Sequence, residues 1–437
     1  MNSVWTESVK QGGVGLPRFD SLGENIKSDV LIIGGGIAGL LCAYHLEKAG
    51  VSYTLVEADR ICSGTTKNTT AKITSQHGLI YSKLVENEGV ERARAYLLAN
   101  EAALSEYRTL ARGLDCDFET RDSYIYSLND RAALEKEMEA LSLIGYNAEL
   151  CDTPELPFDT VGAVKFARQA QFNPLKFLAY IAKGLNIFEN TKVRELRGLV
   201  AVTDKGEIEA KKIIIATHFP IINKHGAYFV KMYQHRSYVV ALEGAGKIDG
   251  MYLDESSGGL SLRRYKDLLL LGGGGHRTGK SGGAYQELEA FAKKKFPFAS
   301  IKYRWAAQDP ITLDSMPYIG NYSSATPDVF VITGFNKWGM TSAMLAARII
   351  SDSIIGAYNE YSELFSPSRP MRRPEMFKNI FSSAAGLIKP TRPRCPHLGC
   401  ALTWNSAEHS WDCPCHGSRF SEDGKLLDGP ATADLDI

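Results

Sequence analysis

The chain has 437 residues, of which 44% are hydrophobic and 23% are charged, as in a globular protein that buries a large core. The charges of its 50 basic and 50 acidic side chains cancel, so no broad positive potential favours binding to nucleic acid or to an anionic membrane surface. No apolar run is long enough for a transmembrane helix, and the first residues lack the pattern of a secretory signal. We therefore expect a cytoplasmic protein of two or three domains, with no nucleic-acid partner and no membrane span.

Residues 29–57 have the pattern of a strand, a glycine-rich turn, a helix and a second strand. The apolar run at 30–33 predicts a buried parallel strand, apolar residues recur at helical spacing from Ile37, and a second apolar run ends on Glu57. Three glycines stand in the turn with the spacing G-x-G-x-x-G: Gly34, Gly36 and Gly39.

This pattern predicts a dinucleotide site at the start of the helix. One glycine makes the turn, another lets the backbone approach a pyrophosphate, and the third lets the helix pack closely on the strand. N–H groups at the helix start bind the phosphates, and Glu57 accepts a hydrogen bond from a ribose hydroxyl. NAD and FAD fit this pattern equally. The expected contacts are Gly34, Gly36, Ile37, Ala38, Gly39, Glu57 and Ala58.

The small polar residues after Glu57 are typical of a loop that lines a cofactor ring and offers backbone donors. Lys67, Asn68, Thr70 and the rest of 70–74 are candidate contacts, although a solvent-exposed loop would have a similar composition. His77 is a candidate for the ring edge, but a single histidine is more often structural.

The middle of the chain interrupts the nucleotide-binding pattern. Helices are predicted over 83–111 and 131–143, with strands over 116–126, and we expect a substrate domain to begin here. A helix is then predicted after Asn173, and a strand from Val193. The buried strand 213–216 runs straight into a loop, which predicts cofactor contacts at its carboxyl end, at Ala216 and Thr217.

Residues 228–299 alternate apolar and polar positions in short runs, which predicts an antiparallel sheet. Basic and aromatic side chains on its strands could grip an anionic substrate, because guanidinium binds carboxylate through paired hydrogen bonds, although most arginines are simply solvated. These candidates are Arg236, Arg263, Arg264, Tyr265, His276 and Arg277.

Residues 328–356 predict a strand, a loop at Gly334 and a helix from about Gly339. The N-terminus of this helix is a second potential anion site, and its dipole could stabilise negative charge that develops on a reduced ring.

Over roughly residues 28–360 the chain resembles the flavin-dependent amine and amino-acid oxidoreductases of the D-amino-acid oxidase/glycine oxidase superfamily. Three motifs carry the resemblance: GGGIAG with Glu57, TLDSMPYIG at 312–320 and GFNKWGMT at 334–341. In the second motif the matching positions are Thr312, Asp314, Pro317 and Gly320, and in the third Gly334, Phe335, Gly339 and Met340.

The resemblance implies non-covalent FAD, with Gly339, Met340 and Thr341 at the pyrimidine end of the ring, Val193 opposite the adenine and a contact at Gly334. One departure concerns the substrate: the family often has an arginine just before the second motif, whereas Gln308 and Asp309 stand here. The carboxylate grip of a simple amino-acid oxidase is therefore not assured. No residue stands out as an acid–base catalyst, and the candidate pocket residues are His77, Arg263, Tyr265, His276 and Trp338.

The C-terminus contains two Cys/His pairs beyond a proline-rich basic linker at 366–393, in which a short helix is predicted from Glu375. The pairs are Cys395 with His397 and Cys413 with His416. Two thiolates on one iron and two imidazoles on the other would hold a [2Fe–2S] cluster, whereas all four on one ion would make a tetrahedral zinc site.

Residues 395–418 closely resemble a Rieske [2Fe–2S] domain. The resemblance implies the four residues above as ligands, a disulfide between Cys400 and Cys415, and a hydrogen bond from Ser418 to a bridging sulfur. Only the linker precedes Cys395, and few residues follow His416. We therefore expect the base domain that shields the cluster to be incomplete.

The sequence thus predicts an α/β protein with an α+β substrate region. It comprises a Rossmann-like FAD-binding domain with an inserted antiparallel-sheet substrate domain over 28–365, and a small all-β Rieske-type segment over 394–437. The FAD-binding parts are expected at about 28–82, 155–222 and 300–360, and the substrate parts at about 83–154 and 223–299.

We expect an oxidoreductase that oxidises an amine or amino-acid-like small molecule and passes electrons between FAD and the cluster. Its electron acceptor or donor is not identified by the sequence. The alternatives are a reductase that runs from cluster to flavin, a redox sensor without substrate turnover that uses the Cys400–Cys415 disulfide, and a flavin-binding relic with a collapsed cluster.

Overall fold

The computed structural model describes residues 3–12, 14–221, 226–256, 258–370, 391 and 393–436. Its helices are α1 (Val4–Gly12), α2 (Ile37–Lys48), α3 (Tyr81–Glu88), α4 (Val90–Leu110), α5 (Arg131–Leu143), α6 (Pro174–Ile181), α7 (Tyr228–Lys231), α8 (Ala284–Lys295) and α9 (Gly339–Ile355). Its strands are β1 (Ile26–Ile33), β2 (Tyr53–Val56), β3 (Lys72–Ile73), β4 (Glu119–Ser127), β5 (Glu149–Cys151), β6 (Gly162–Gln171), β7 (Ile187–Phe188), β8 (Val193–Arg197), β9 (Val200–Thr203), β10 (Glu207–Ile215), β11 (Met232–Glu243), β12 (Met251–Asp254), β13 (Ser261–Tyr265), β14 (Leu268–Arg277), β15 (Ser300–Thr312), β16 (Tyr318–Ser323), β17 (Thr326–Thr333), β18 (Thr403–Asn405), β19 (Ser410–Asp412), β20 (Arg419–Ser421) and β21 (Leu426–Asp428).

The first sheet has eight strands and carries the predicted dinucleotide motif. Strands β17, β10, β1, β2 and β7 lie parallel in that order, β16 is antiparallel at one edge, and β9 joins β8 to β10. In β1, Val30 and Ile32 face one apolar core while Leu31 and Ile33 face another. Both faces of the sheet are therefore covered, as a continuous apolar strand requires.

The second sheet has nine strands in the order β15–β11–β14–β13–β12–β4–β6–β3, with β5 beside β6. Its neighbours pair antiparallel except for β12 with β4, and α8 covers it through Leu288 and Tyr285. The antiparallel sheet predicted for 228–299 is confirmed. The sheet also takes β3, β6 and β15 from stretches that the sequence assigned to the flavin part, because pairing between distant strands leaves no local signal.

The predicted helices have the expected ends at several positions. α5 begins at Arg131, where the Asp130 carboxylate accepts from Ala133 N at 2.9 Å, and α9 begins at Gly339. The predicted helix over 83–111 is instead two helices, α3 and α4, which meet at Gly89. Its φ of +87° is a backbone conformation that glycine adopts without strain and that ends α3.

The C-terminal part is a four-stranded antiparallel sheet, β18–β19–β20–β21, with its own small core around Cys395, Cys413 and Phe420. The short helix predicted from Glu375 lies outside the described residues. Among the residues that the structure describes, no helix combines the length and the apolar character needed to span a membrane.

Candidate functional site

A cavity of about 1300 Å³ lies at the carboxyl ends of β1, β2, β10 and β17. It extends from the glycine turn to the strands of the second sheet, and the residues after β21 also line it. Most of the predicted cofactor contacts line this cavity: Gly34, Gly36, Ile37, Ala38, Glu57, Ala58, Thr70, Val193, Ala216, Thr217, Gly339 and Met340.

The glycine turn brings the backbone closer together than any side chain would allow. A Cβ atom on Gly39 would lie 1.9 Å from the carbonyl oxygen of Gly34, and one on Gly34 would lie 2.6 Å from that of Ala216. Gly34 also has a φ of +112°, which favours glycine. Gly39 therefore lies behind the cavity wall, where it lets α2 pack on the turn.

The start of α2 and the end of β2 provide the polar groups of the turn. Gly36 precedes α2 without a side-chain cap, so the first backbone donors of the helix face the cavity region, and one of them, Ile37 N, donates to Thr66 Oγ1 at 3.1 Å. The Glu57 carboxylate accepts from Gly35 N at 2.7 Å, and burial raises its pKa. The glycine turn, the start of α2 and Glu57 therefore fit a dinucleotide, with its pyrophosphate at the helix start and a ribose at Glu57.

Residues 68–71 form a cavity-lining loop whose carbonyl groups point back into the protein. Three buried side chains donate to these carbonyl oxygens: Trp5 to Thr69 at 2.7 Å, Trp305 to Asn68 at 2.9 Å, and Arg263 to Thr70 at 2.7 Å and to Ala71 at 2.9 Å. Arg263 is thus not in the cavity wall, and its guanidinium holds the cofactor-facing loop instead of a substrate.

Two other predicted pocket residues also lie away from the cavity. Tyr265 donates to Asp117 Oδ2 at 2.8 Å beneath the N-terminal helix, and His276 meets the Tyr238 hydroxyl at 3.0 Å. The sequence placed these side chains on the correct sheet but could not tell which face of the sheet they would share. Arg277 does line the cavity.

His77 and Trp338 form one wall of the cavity, with their rings stacked at 4.8 Å. His77 Nε2 donates to the Thr74 carbonyl at 2.8 Å, and Nδ1 accepts from the Tyr96 hydroxyl at 2.7 Å. Burial lowers the pKa of His77 to about 3, so the ring is neutral near pH 7. His77 therefore supports Trp338 as an uncharged ring.

The N-terminus of α9 faces the cavity through Gly339 and Met340, and its N-cap residue, Trp338, makes no side-chain cap. This end of the helix fits a ring that takes on negative charge. Thr341 and Gly334 lie just behind it. Thr341 Oγ1 is 3.1 Å from His77 Nε2, and Gly334 has a φ of +73°.

Lys72, at the start of β3, lies in the cavity wall and belongs to the stretch 70–74 that the sequence predicts as cofactor contacts. Its Nζ donates to Tyr252 O at 2.8 Å and to Ser261 Oγ at 2.6 Å. Within the described part of the chain no carboxylate oxygen lies within ion-pair distance of it. Burial, and then the nearby charge of Arg263, lower the pKa of Lys72 to about 7. Its partners are far away in sequence, so no local pattern could have predicted which groups its ammonium contacts.

The two predicted ligand loops share one backbone structure. In each, the first cysteine and a glycine close the loop with two hydrogen bonds: Cys395 N to Cys400 O at 2.8 Å and Gly399 N to Cys395 O at 2.9 Å, then Cys413 N to Ser418 O at 2.8 Å and Gly417 N to Cys413 O at 3.0 Å. Both glycines have positive φ, +76° and +82°. The loops therefore present two matching Cys/His pairs.

The predicted ligands meet in two pairs, one of thiols and one of imidazoles. The thiols of Cys395 and Cys413 hydrogen-bond to each other, and this contact lowers the pKa of Cys395 to about 7. The rings of His397 and His416 are 5.1 Å apart. The predicted disulfide between Cys400 and Cys415 is present, with Cα atoms 6.6 Å apart.

The donor set fits an iron–sulfur cluster. Burial lowers the pKa of His416 to about 4, so the imidazole is neutral, and its buried Nδ1 has no hydrogen-bond partner among the described residues. A neutral imidazole nitrogen without a hydrogen-bond partner has a free lone pair that can bind a metal ion. The Ser418 side chain hydrogen-bonds Cys395, as the resemblance implied for a hydroxyl beside the cluster sulfurs.

Residues 393–436, which carry both ligand loops and which we call the cluster domain, pack on the second sheet beside the flavin cavity. Gln308, which lines the cavity and is 3% exposed, donates from Nε2 to Gly417 O at 2.8 Å. The Gln308 side chain is held in turn by Thr278 Oγ1 at 2.9 Å. The His416 ring lies 5.6 Å from that of Phe229.

Glycines and a buried ion pair allow this close approach. A Cβ atom on Gly279 would lie 2.5 Å from Pro414, and one on Gly417 would lie 2.2 Å from Gln234. The Arg236 guanidinium is buried and pairs with Glu408 of the cluster domain. Arg236 was a candidate for substrate binding, but the structure uses it for docking.

Comparisons with known proteins agree with both resemblances, that of the flavin-binding part and that of the C-terminal part. The profile of a family described as "FAD dependent oxidoreductase" matches residues 29–353, and that of the "Rieske [2Fe-2S] domain" matches residues 374–437. The resemblance inferred from the motifs is therefore confirmed, and the Rieske match decides between iron and zinc. The cofactors are FAD and a Rieske-type [2Fe–2S] cluster.

Individual relatives extend over most of the chain. YhfW of Bacillus subtilis (strain 168), named as a Rieske 2Fe-2S iron–sulfur protein, is 33% identical over 96% of this chain and 95% of its own. Gamma-glutamylputrescine oxidoreductase of Escherichia coli (strain K12) is 25% identical over 77% and 86%. L-proline dehydrogenase from P. horikoshii has a TM-score of 0.66 at 19% identity, over 80% of this chain and 98% of its own, which shows the same fold.

Proposed function

Because this chain belongs to the family of FAD-dependent oxidoreductases and ends in a Rieske domain, we propose that it dehydrogenates an amine or amino-acid-like substrate and passes the electrons from FAD to its own cluster. The substrate class and the internal electron transfer are the proposed parts. The two cofactors and the oxidoreductase class follow from the family and the domain.

The names of similar proteins support a substrate with a C–H bond next to nitrogen. Gamma-glutamylputrescine oxidoreductase and L-proline dehydrogenase are both named for such compounds. Bound FAD supplies an acceptor for the hydride of that C–H bond while the nitrogen loses a proton, and it can then release electrons singly to an iron–sulfur centre.

The residues of the cavity have distinct tasks under this proposal. The turn at Gly34 admits the pyrophosphate, Glu57 binds the ribose, and the N-terminus of α9 faces the ring. Trp338, stacked on neutral His77, forms an apolar wall that excludes water from the reacting atoms.

The observation that carries the proposal is the docking of the second cluster loop on the cavity wall. Gln308 lines the cavity with one part and binds the carbonyl of Gly417, next to His416, with another. The position at which related flavoenzymes often carry a substrate-binding arginine thus serves contact between the two redox domains. A docked cluster favours electron transfer within one chain over transfer through solution.

The test is anaerobic mixing of the purified full-length protein with a panel of amines and amino acids. We expect one group of substrates to bleach the flavin absorbance and, in the same sample, to produce the electron paramagnetic resonance signal of a reduced Rieske cluster. The variant Cys395→Ser should bleach without that signal.

Other outcomes would overturn parts of the proposal. Bleaching without cluster reduction in the unmodified protein would exclude the electron relay. Flavin reduction only after the cluster has been reduced by an external donor would indicate the reverse direction. No bleaching by any substrate, with a reversible response of the Cys400–Cys415 disulfide, would favour a redox sensor.

A further inference from the structure

The last strand of the cluster domain and the loop after it line the flavin cavity. The cavity-lining residues are Leu426, Leu427, Asp428, Gly429, Ala431 and Thr432. We call residues 426–432 the shared wall. The same cavity is lined by Lys192 and Val193, the position that the family resemblance puts opposite the adenine.

The shared wall is attached to the flavin domain at two points. Arg194, on β8 next to Val193, donates from Nη1 to Thr432 O at 3.2 Å. At the other end, Nη1 of the buried Arg236 lies 3.8 Å from Asp428 Oδ2. These contacts hold the wall along the cavity, from the adenine side towards the second sheet.

The shared wall is equally attached to the cluster loops. Ala431 N donates to Ser418 Oγ at 3.0 Å, and the Ser418 side chain hydrogen-bonds Cys395. Arg419, which follows Ser418, donates from Nη1 to Asp428 Oδ2 at 2.9 Å. A displacement of the wall therefore acts directly on the groups around a predicted cluster ligand.

We propose that the shared wall is part of the FAD site and contacts the adenosine half of the cofactor. FAD binding and the geometry of the cluster loops are then coupled through the bond between Ala431 and Ser418. By linkage the coupling is reciprocal, since a wall fixed by one cofactor costs the other less to order. This proposal requires both cofactors but does not depend on the substrate or on electron transfer.

The first test is amide hydrogen exchange on the full-length protein with its cluster, before and after FAD is restored to the deflavinated chain. FAD should slow exchange in the peptide that covers 426–432 and in the loop around Ser418. Exchange in β18, which does not line the cavity, serves as the internal control. Unchanged exchange in 426–432 on FAD binding would overturn the proposal.

The second test compares two half-exposed leucines. Leu427 lines the cavity and is 51% exposed, whereas Leu128, which follows β4, does not line it and is 46% exposed. Leu427→Ser should weaken FAD binding about tenfold, because an apolar side chain that covers the ligand is lost. Leu128→Ser should leave FAD affinity unchanged.

The same variants report on the coupling. In the wild-type protein, FAD removal should alter the electron paramagnetic resonance line shape of the chemically reduced cluster, and in Leu427→Ser this change should shrink. Equal FAD affinities for the two serine variants, or a cluster spectrum that ignores FAD, would contradict the shared wall. Because these tests need no substrate, their failure is distinguishable from a failure of the proposed dehydrogenase activity.

Discussion

The two cofactor sites of this chain differ in the groups that form them, backbone in one and side chains in the other. The flavin site is mainly backbone: its glycine turn works because Gly34 and Gly39 carry no side chain. The proposed cluster site is mainly side chains: two thiols and two imidazoles are presented by loops of matching structure, closed at Gly399 and Gly417.

This difference determines how each site should fail. A substitution in the flavin turn moves backbone that β1 and α2 share with the apolar cores, so it damages the fold together with the site. A substitution of a cluster ligand removes one donor atom but leaves the backbone hydrogen bonds of its loop in place. Variants can therefore test whether the two sites really differ in this way.

The largest effect is expected at Gly39. In Gly39→Val the new Cβ would lie 1.9 Å from the carbonyl oxygen of Gly34, so α2 must move away from the turn. We expect a loss of about 3 kcal/mol or more in the free energy of unfolding and no bound flavin. Gly23→Ala, at a glycine with open space around it, should leave both unchanged. Flavin absorbance and thermal unfolding measure the two effects, and a stable, flavin-loaded Gly39→Val would refute the backbone argument.

The flavin turn was predictable from the sequence because all of its parts are neighbours in the chain. The strand, the three glycines and Glu57 span 29–57, and each leaves a local mark in residue type or period. The loop at 68–71 was less predictable, since the side chains that orient it, Trp5, Trp305 and Arg263, come from three distant segments. Composition identified Arg263 as a candidate, but only the packed structure determines what it touches.

A smaller, confined effect is expected at the cluster. Cys395→Ser should remove the iron, because one of two thiolates on its iron is lost, while the flavin domain still folds and still binds FAD. Cys151→Ser, at a free cysteine outside the cluster domain, is the matched control. Iron analysis and flavin absorbance on the same sample separate the sites. Iron retained in Cys395→Ser would show that our ligand assignment is wrong.

Spacing and the Rieske resemblance predict the ligands of the cluster, but they say nothing about the surroundings of those ligands. The short C-terminal segment suggested that the cluster would lack a shielding base domain. In the structure Phe229, Gln234 and Gly279 of the flavin domain pack against the second ligand loop. No pattern within residues 394–437 could reveal this cover, because it comes from α7, β11 and the loop after β14, more than a hundred residues earlier.

Gln308 tests the junction between the two sites. Gln308→Leu replaces the amide by an apolar side chain of similar size and leaves Gly417 O and Thr278 Oγ1 without their buried partner. A lost buried hydrogen bond costs about 1–3 kcal/mol, so the ratio of docked to undocked cluster domain should fall about tenfold. Stopped-flow measurement should then show slower cluster reduction after flavin bleaching, with flavin reduction itself unaffected.

Gln76→Leu is the control for that experiment. Gln76 is also buried and also donates from Nε2 to a carbonyl, that of Val164 at 2.7 Å, but it lies away from the cluster domain. Both variants should lose similar stability. Equal rates of internal electron transfer in the two variants would mean that docking through Gln308 does not govern the relay.

An effect no larger than that at Gln308 is expected at Lys72, where a charged side chain instead of backbone forms the wall of the flavin cavity. Two neutral acceptors hold its Nζ and no described carboxylate neutralises it, so a carboxylate ligand in the cavity should bind there. Only the protonated amine attracts an anion. Because the pKa of Lys72 is about 7, acetate affinity should be nearly constant at about pH 6, where acetate is ionised and the amine protonated, and fall about tenfold per unit above pH 7. Lys72→Met should bind acetate about tenfold more weakly at pH 6 and lose this pH dependence, since a charge-assisted bond is missing.

The control is Lys83→Met, which removes an exposed lysine from the same cavity and should behave as wild type. The perturbation of the flavin spectrum by acetate measures each affinity, and a pH profile unchanged in Lys72→Met would transfer the anion site to another group.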